Sequence, residues 1–341
     1  MTQALNQRVL LASRPDGLPR PDNFRIVQEP VPVPADGQLL LEILHLSLDP
    51  YMRGRMDDAR SYAKPVAIGE VMEGGTVARV VASRRNDYAV GDIVLSHSGW
   101  QRYALSDGEG LRKLDPATAP PSTALGVLGM PGFTAWAGLL QIGRPKPGET
   151  VVVAAASGAV GSAVGQIARI QGARAVGIAG GPEKCAFVRD ELGFDAVIDH
   201  RAPDFVQQLF SACPDGIDVY FENVGGQVWD AVFPLLNDFA RVPVCGLIAQ
   251  YNALPQAAPG PDRLAVVMSD VLKKSLTIRG FIQREFAGLR PAFLQEAQGW
   301  IADGSLRYRE DIVDGLERAP AAFIDLLQGR NFGKLIVKLA G

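Results

Sequence analysis

Ala156, Gly158 and Gly161 set an A-x-G-x-x-G spacing, with Gly165 one turn later, inside the run VVVAAASGAVGSAVGQIA from Val151 to Ala168. Glycine weakens strand and helix interiors by roughly 0.5–1 kcal/mol per position, so a cluster at this junction needs an offsetting use. A buried strand that turns tightly into a helix leaves amide groups unpaired at the helix start, and such amides bind an anion, typically a phosphate. A second strand, RAVGIAG, ends about 20 residues on, which is the spacing of a dinucleotide-binding unit. Ala156 stands where the first glycine of that fingerprint usually falls.

The end of the second strand discriminates between the two nicotinamide dinucleotides. An NAD site usually places Asp or Glu there to accept bonds from the adenosine ribose. Here the sequence is IAGGPEK: Gly180 and Gly181 bring no carboxylate, and Lys184 follows within one helical turn. Nothing at that position repels a 2′-phosphate and an ammonium attracts one, with Arg201 after the next strand able to assist. The residues therefore point to NADP (NADPH).

Alternating elements must deliver these groups. From Val151 onward, strand-like runs (VVVAAA, RAVGIAG, AVID, IDVYFEN, ARVPVCGLI, LTIRGFI) alternate with helical ones (PEKCAFVRDELG, DFVQQLFSA, VWDAVFPLL). Val160, Val164, Ile167 and Ala168 share one face of the first helix, and Gly172 is placed to end it. Repeated units of this kind imply an α/β fold, a doubly wound parallel sheet of the Rossmann kind. The opening of the chain instead carries short runs (QRVLLAS, QLLLEILHLSL, GGTVARVVAS, GDIVLSHS) punctuated by Pro, Gly and Asp, as in an antiparallel barrel or sandwich. The expected organisation is 1–126 as a first β-rich part, 127–307 as the nucleotide domain, and 308–341 as a return to the first. The loop AQYNALPQAAPGPDR is the longest irregular stretch, and long loops of this kind are usually functional.

Bulk properties exclude other classes. With 341 residues, 47% apolar and 21% charged, the chain can bury two ordinary cores. A net charge of −3 without basic blocks argues against nucleic acid as a partner. No segment reads as a signal peptide or membrane span. Cys185, Cys213 and Cys245 are scattered and odd in number, which suits a reducing cytoplasm rather than a disulfide framework.

SLDPYMRGRM, VLGMPGFTAW, AAASGAVGS, FENVGG, PVCGLIAQYN and GRNFGKLIVK occur in an order and spacing that span nearly the whole chain. By these segments the sequence resembles zinc-independent medium-chain dehydrogenases/reductases, in the prostaglandin reductase/leukotriene dehydrogenase branch that includes bacterial NADPH-dependent curcumin reductases. The resemblance implies a GroES-like β-barrel catalytic domain around the Rossmann domain, cytoplasmic homodimers, and reduction of conjugated carbon–carbon double bonds. It places cofactor contacts on Ala159, Val160, Gly161 and Ser162; on Lys184 and Asn223; on Cys245, Gly246, Leu247, Ile248, Ala249, Gln250 and Tyr251; and on Phe281, Ile282, Gln283 and Asn331. Asn223 and Asn331 lie beside glycines in favoured turn positions, and the resemblance is what marks them as contacts. Where relatives have a tyrosine near the adenosine phosphate, this chain has His200.

Zinc-dependent members of that superfamily carry a Gly-His-Glu stretch and a run of cysteines. The corresponding region here is IGEVMEGG, with Glu70 in the histidine position, and three histidines and three cysteines form no four-ligand spacing. The expectation is no metal. Without a Lewis acid, hydride addition to the β-carbon of an enone or enal is easier than addition to a plain carbonyl, because charge spreads onto an oxygen as an enolate. That oxygen needs a hydrogen-bond donor. Tyrosine, with an ordinary pKa near 10, stays protonated at neutral pH. Tyr251 is the first candidate, with a cofactor ribose hydroxyl sharing the role, and Tyr51 and Tyr62 are candidates for wall and orientation. A quinone oxidoreductase would share every cofactor residue, and a crystallin-like or nucleic-acid-binding protein could keep the fold without turnover.

Overall fold

The computed structural model describes residues 5–253 and 263–340. Residues 254–262, the greater part of the long loop singled out above, lie outside the described residues. The chain divides into two compact units: one combines the chain up to Gly126 with the segment from Glu310, and the other spans Val127–Arg309.

In the first unit, β1 (Leu5–Leu11) and β2 (Phe24–Pro30) pair antiparallel. The remaining strands are β3 (Leu39–Ser47), β4 (Thr76–Ser83), β5 (Ile93–Ser96), β6 (Tyr103–Ser106) and β7 (Arg112–Leu114). Their continuous apolar runs fit strands whose inner face is a core: Leu39, Leu41, Ile43, Ala78, Val80 and Val94 form one buried cluster.

The second unit carries β8 (Thr150–Ala154), β9 (Arg174–Ala179), β10 (Ala196–Asp199), β11 (Ile217–Phe221), β12 (Leu236–Val244) and β13 (Thr277–Gly280). The chain then re-enters the first unit as β14 (Glu310–Asp314) and β15 (Lys334–Lys338). There the sheet order is β14-β15-β3-β4-β5-β7, with β6 also paired to β3. The helix Ala319–Leu327 precedes β15 and buries Phe323, whose ring meets the Trp100 ring edge-on at 5.6 Å. Lys334, at the start of β15, is buried and donates to Asp49 Oδ1 at 2.6 Å and to the Leu48 carbonyl at 2.9 Å, while Ser47 donates to the other Asp49 oxygen.

The second unit's sheet is parallel throughout, in the order β10-β9-β8-β11-β12-β13. Val151–Ala154 are wholly buried, as a strand covered on both faces requires. The order reverses between β8 and β11, and such a switch point opens a crevice beyond the carboxyl ends of the strands. The helix Gly161–Ile170 buries Ala163, Val164, Ile167 and Ala168, and Gly172 closes it at φ 78°. A Cβ on Gly165 would run into the Phe194 ring, so this glycine lets the helix lie close against that side chain.

Candidate active site

Because every strand of the second unit's sheet runs the same way, the segments that follow them share one edge. Gly158–Ser162 follow β8, Gly180–Lys184 follow β9, His200 and Arg201 follow β10, Asn223 follows β11, Cys245–Tyr251 follow β12, and Phe281–Gln283 follow β13. The parallel topology thus gathers all of the second unit's candidates at one edge.

After β8 the backbone turns through Ala155 at φ 53°, with the Gly158 amide donating to the Ala155 carbonyl at 2.9 Å. A Cβ on Gly161 would collide with that same carbonyl, so Gly161 is fixed by backbone approach. Gly158 differs: a Cβ there would meet only the Ala155 oxygen, at 3.2 Å, and otherwise open space. The Ser162 amide bonds to the Gly158 carbonyl at 3.0 Å, whereas the amides of Ala159, Val160 and Gly161 donate to none of the described residues. No side chain caps the helix at Val160. Three unengaged amides at a helix start, with a glycine clearing their approach, fit a dinucleotide pyrophosphate.

At the ends of β9 and β10, a Cβ on Gly180 would stand 2.7 Å from His200 Nε2 and 3.1 Å from Arg201 Nε. A side chain there would have to displace both His200 and Arg201. One carboxylate lies nearby, Asp199, but its Oδ1 accepts the amides of Gly181 and Arg201, each at 2.9 Å. Desolvation works to raise its pKa, and these two amides, with His200 and Arg201, bring it below the ordinary carboxylate value. Partial desolvation and the Arg201 cation hold the His200 imidazole below 6.5, with Lys184 adding to the effect and Asp199 opposing it. Lys184 and Arg201 thus both act on His200, and the two cations with a neutral imidazole between them suit a 2′-phosphate.

Glu222 links the next two loops. It is fully buried. Its Oε1 accepts the amides of Val224 at 2.6 Å and Gly225 at 2.9 Å, and its backbone carbonyl accepts those of Cys245 at 2.9 Å and Gly246 at 3.2 Å. Burial raises its pKa against the pull of the amides. Asn223 donates its side-chain amide to the Ala154 carbonyl at 2.9 Å and accepts the Ile248 amide at 3.3 Å, tying the ends of β8, β11 and β12 together. Burial, with Glu222 nearby, pushes the Cys245 thiol up to about 12, so it stays protonated.

Tyr251 closes the short helical turn Ile248–Gln250 and folds back over its own loop. Its hydroxyl accepts the Leu247 amide at 3.4 Å, and a Cβ on Gly246 would stand 2.8 Å from that oxygen. Ala249 and Gln250 face the β11 turn: the Ala249 amide bonds to Val224 at 3.0 Å, and the Gln250 side chain lies over Gly225. Beyond β13, Phe281 is a core side chain, edge-on to Phe221 at 6.2 Å. The Ile282 amide is taken by Glu285 at 2.8 Å and the Gln283 side chain by Arg290 at 2.7 Å.

The other candidates belong to the first unit. Tyr51 opens the short helix Met52–Arg55, and Tyr62 is 48% exposed. Both rings lie against the guanidinium of Arg55, 5.7 Å from the Tyr51 centroid and 4.4 Å from that of Tyr62. Burial, then Asp49 and Glu73, raise the Tyr51 pKa above its ordinary value, so the phenol is protonated. Asn331 donates to the Gly333 carbonyl at 2.9 Å within its own turn. Glu70 is exposed in a turn, and among the described residues no group of three His, Cys, Asp or Glu side chains could hold a metal ion. Arg55, Glu73, Asp199 and Glu222 were invisible as site residues in the sequence; only the GG-to-carboxylate spacing around β10 hints at Asp199.

Comparison with known proteins supplies the wider setting. A family model described as the N-terminal domain of oxidoreductase matches residues 7–114, and one described as zinc-binding dehydrogenase matches residues 159–298. The chain is 56% identical over 337 residues to the NADPH-dependent curcumin reductase of Escherichia coli (strain K12), covering 98% of this chain and 97% of that one. It is 42% identical to prostaglandin reductase 1 of Rattus norvegicus over 328 residues, 95% and 96% of the two chains. The crystal structure of CurA from Vibrio vulnificus in complex with NADPH superposes with a TM-score of 0.95 at 54% identity, covering 98% of this chain and 99% of that chain.

Proposed function

This chain belongs to the medium-chain dehydrogenase/reductase family, and from that premise we propose that it reduces the conjugated carbon–carbon double bond of enones and enals with NADPH. The observation that carries the reading is the shared edge of the parallel sheet, where the unengaged amides of Ala159–Gly161 lie at one strand end and Lys184, His200 and Arg201 at the next two. The names of the relatives, a curcumin reductase and a prostaglandin reductase, support the substrate class.

When bound, NADPH supplies the hydride. The turn after β8 would hold the pyrophosphate, Lys184 and Arg201 with His200 would hold the 2′-phosphate, and the Glu222-braced loops carrying Asn223 and Cys245–Tyr251 would line the remainder, with Phe281–Gln283 alongside. Addition at the β-carbon places negative charge on the substrate oxygen, which a preorganised donor stabilises. We assign that donor to Tyr251, held over Gly246, with a ribose hydroxyl sharing the role. Tyr51 serves as wall and orienting group: its hydroxyl bonds to none of the described residues, and its raised pKa keeps the proton in place. Tyr62 orients. The reaction needs no metal in this scheme.

Two copies pair, in this proposal, through β13 and the helix Leu264–Lys273. The strand is the edge of its sheet and exposed throughout, and the helix exposes Leu264, Val266, Met268 and Leu272. No described helix is long and apolar enough to cross a membrane, and the free cysteines suit the cytoplasm, where we place the protein.

The test is NADPH oxidation followed with but-3-en-2-one, with benzoquinone and with no acceptor. Turnover with the enone, and saturated ketone as product, is the expected result. Turnover with the quinone alone would make the protein a quinone oxidoreductase, and oxidation with neither would leave a cofactor-binding protein without this activity.

A further inference from the structure

Two tyrosines of the first unit stand against one buried cation. Arg55 is 2% exposed, and its Nε donates to Glu73 Oε1 at 2.8 Å. Its Nη1 reaches Ser61 Oγ and the Ala63 carbonyl, each at 3.4 Å. Its Cζ lies over the Tyr62 ring, 4.4 Å from the centroid, and over the Tyr51 ring at 5.7 Å. The Arg55 carbonyl also accepts the Val66 amide at 2.8 Å. The neighbouring Arg53 is committed elsewhere, to Asp57 at 2.6 Å and to the Gly17 carbonyl at 2.9 Å.

A desolvated guanidinium is costly unless its donors are satisfied and its charge is balanced. Here Glu73 balances the charge, and the buried cation ties both tyrosine rings to one point. Tyr62 is the informative partner: it lies on a mostly exposed segment, 57–65, with no helix or strand to fix it, yet Arg55 engages Ser61, Tyr62 and Ala63 in succession. Tyr51 is fixed from the other side, on the first turn of the helix that carries Arg55.

We propose that Arg55, braced by Glu73, is the positioning residue that holds the Tyr51 and Tyr62 hydroxyls in one arrangement for substrate. This rests on the enone-reductase reading and deepens it, since Arg55 touches no reacting atom and acts through the two phenols. The planar fork is essential to the role. An ammonium at the same position keeps the charge but cannot face two rings while bonding Glu73 and the 61–63 backbone.

Arg55→Lys should therefore raise the KM for but-3-en-2-one and lower kcat/KM on the order of 10- to 100-fold, as misplacement of orienting groups does. NADPH affinity, read by fluorescence titration without substrate, should stay within about twofold. The decisive comparison repeats Arg55→Lys in a Tyr51→Phe/Tyr62→Phe background, which keeps both rings but has no hydroxyls left to position. There the lysine should cost nothing further, because coupled residues are non-additive. An equal loss in both backgrounds would overturn the proposal and make Arg55 a structural residue.

A second readout does not depend on turnover. Arg60 is exposed on the pinned segment, so trypsin should cut after Arg60 markedly faster in Arg55→Lys than in the parent at matched thermal stability. Unchanged cleavage would also overturn the proposal. Should the parent itself fail to reduce the enone, the functional reading falls, and faster cleavage would still show that Arg55 holds the segment.

Discussion

Gly158, Gly161 and Gly165 lie within eight residues, yet the structure gives each a different reason to be glycine, and this separates binding from folding. An alanine at 158 adds a methyl that meets only the Ala155 oxygen at 3.2 Å, a contact relieved by a shift of a few tenths of an ångström. The reduced freedom of the unfolded chain contributes about 0.4–1 kcal/mol in the opposite sense. Gly158→Ala should thus leave Tm within a few degrees of the parent. The methyl would enter otherwise open space at the turn that carries the Ala159–Gly161 amides, where a pyrophosphate would approach. Keeping it a further ångström away should cost at least about 1.4 kcal/mol, a tenfold loss of NADPH affinity. Gly165→Ala is the reverse case. Its methyl strikes the Phe194 ring, and overpacking of this kind costs ~1–3 kcal/mol, a fall in Tm of roughly 2–4 °C for each kcal/mol in a unit of this size. NADPH affinity below the transition should be retained, and Phe194→Leu should restore part of the lost stability. Differential scanning fluorimetry and NADPH fluorescence titration on the two variants suffice. A Gly158→Ala protein that is destabilised like Gly165→Ala and binds NADPH as the parent does would refute the anion-site reasoning.

Lys184→Ala removes a charge-assisted contact worth roughly 1.5–3 kcal/mol, so NADPH affinity should fall about 10- to 100-fold with NADH little changed; equal use of both cofactors by the parent would contradict this. The His200 imidazole sits below 6.5 in the folded chain, so the stability it contributes is present above 6.5 and lost as pH falls through the folded value. Tm measured against pH should therefore decline less steeply on the acid side in His200→Gln than in the parent, and parallel curves would count against the assignment. Purified protein should hold no stoichiometric zinc and keep its activity after prolonged chelation, an expectation that one zinc per chain by elemental analysis would end. Tyr251→Phe should reduce enone turnover by up to about 100-fold, at the lower end for loss of one oxyanion donor, with NADPH affinity near that of the parent; weakened affinity with normal turnover would make Tyr251 a cofactor wall and pass the donor role to Tyr51.

The parallel sheet was legible because its strands are buried on both faces, so VVVAAA and RAVGIAG read as unbroken apolar runs bounded by glycine. The helix Arg290–Ala302 was not, since only Phe293 and Ala297 are buried and no apolar stripe results. In Leu264–Lys273, Val267 and Val271 pack on the core while Leu264, Val266, Met268 and Leu272 face outward, and a pattern tied to a single chain's core cannot interpret that second apolar face. At the site, local spacing revealed the glycine turn and the missing carboxylate after β9. It could not reveal that Asp199, a strand away, spends its oxygen on the Gly181 and Arg201 amides, nor that Glu73 would balance Arg55 from 18 residues further on. Such partners are set by strand pairing and burial, and no periodicity records them. Phe281 shows the same limit from the other side: its side chain is committed to Phe221 and the space above Gly138, so a cofactor contact at this position falls to its backbone.

The buried pairing of Lys334 with Asp49 has a consequence for the order in which the protein can be made. On the ribosome, β3 and Asp49 emerge early, and the whole of the second unit is synthesised before β15 appears. Units fold as they emerge, so the parallel sheet can close while the first unit is still incomplete. Throughout that interval the end of β3 from His45 to Ser47, which pairs with β15, presents an unpaired edge, and Asp49 has no cation to bury against. An open edge next to apolar runs is a template for association between nascent chains. The same dependence makes β15 a sensitive place for alteration: losing it would remove an interior strand of the first sheet and leave the Asp49 carboxylate buried without its cation, whereas an equally short loss within an exposed loop would touch neither.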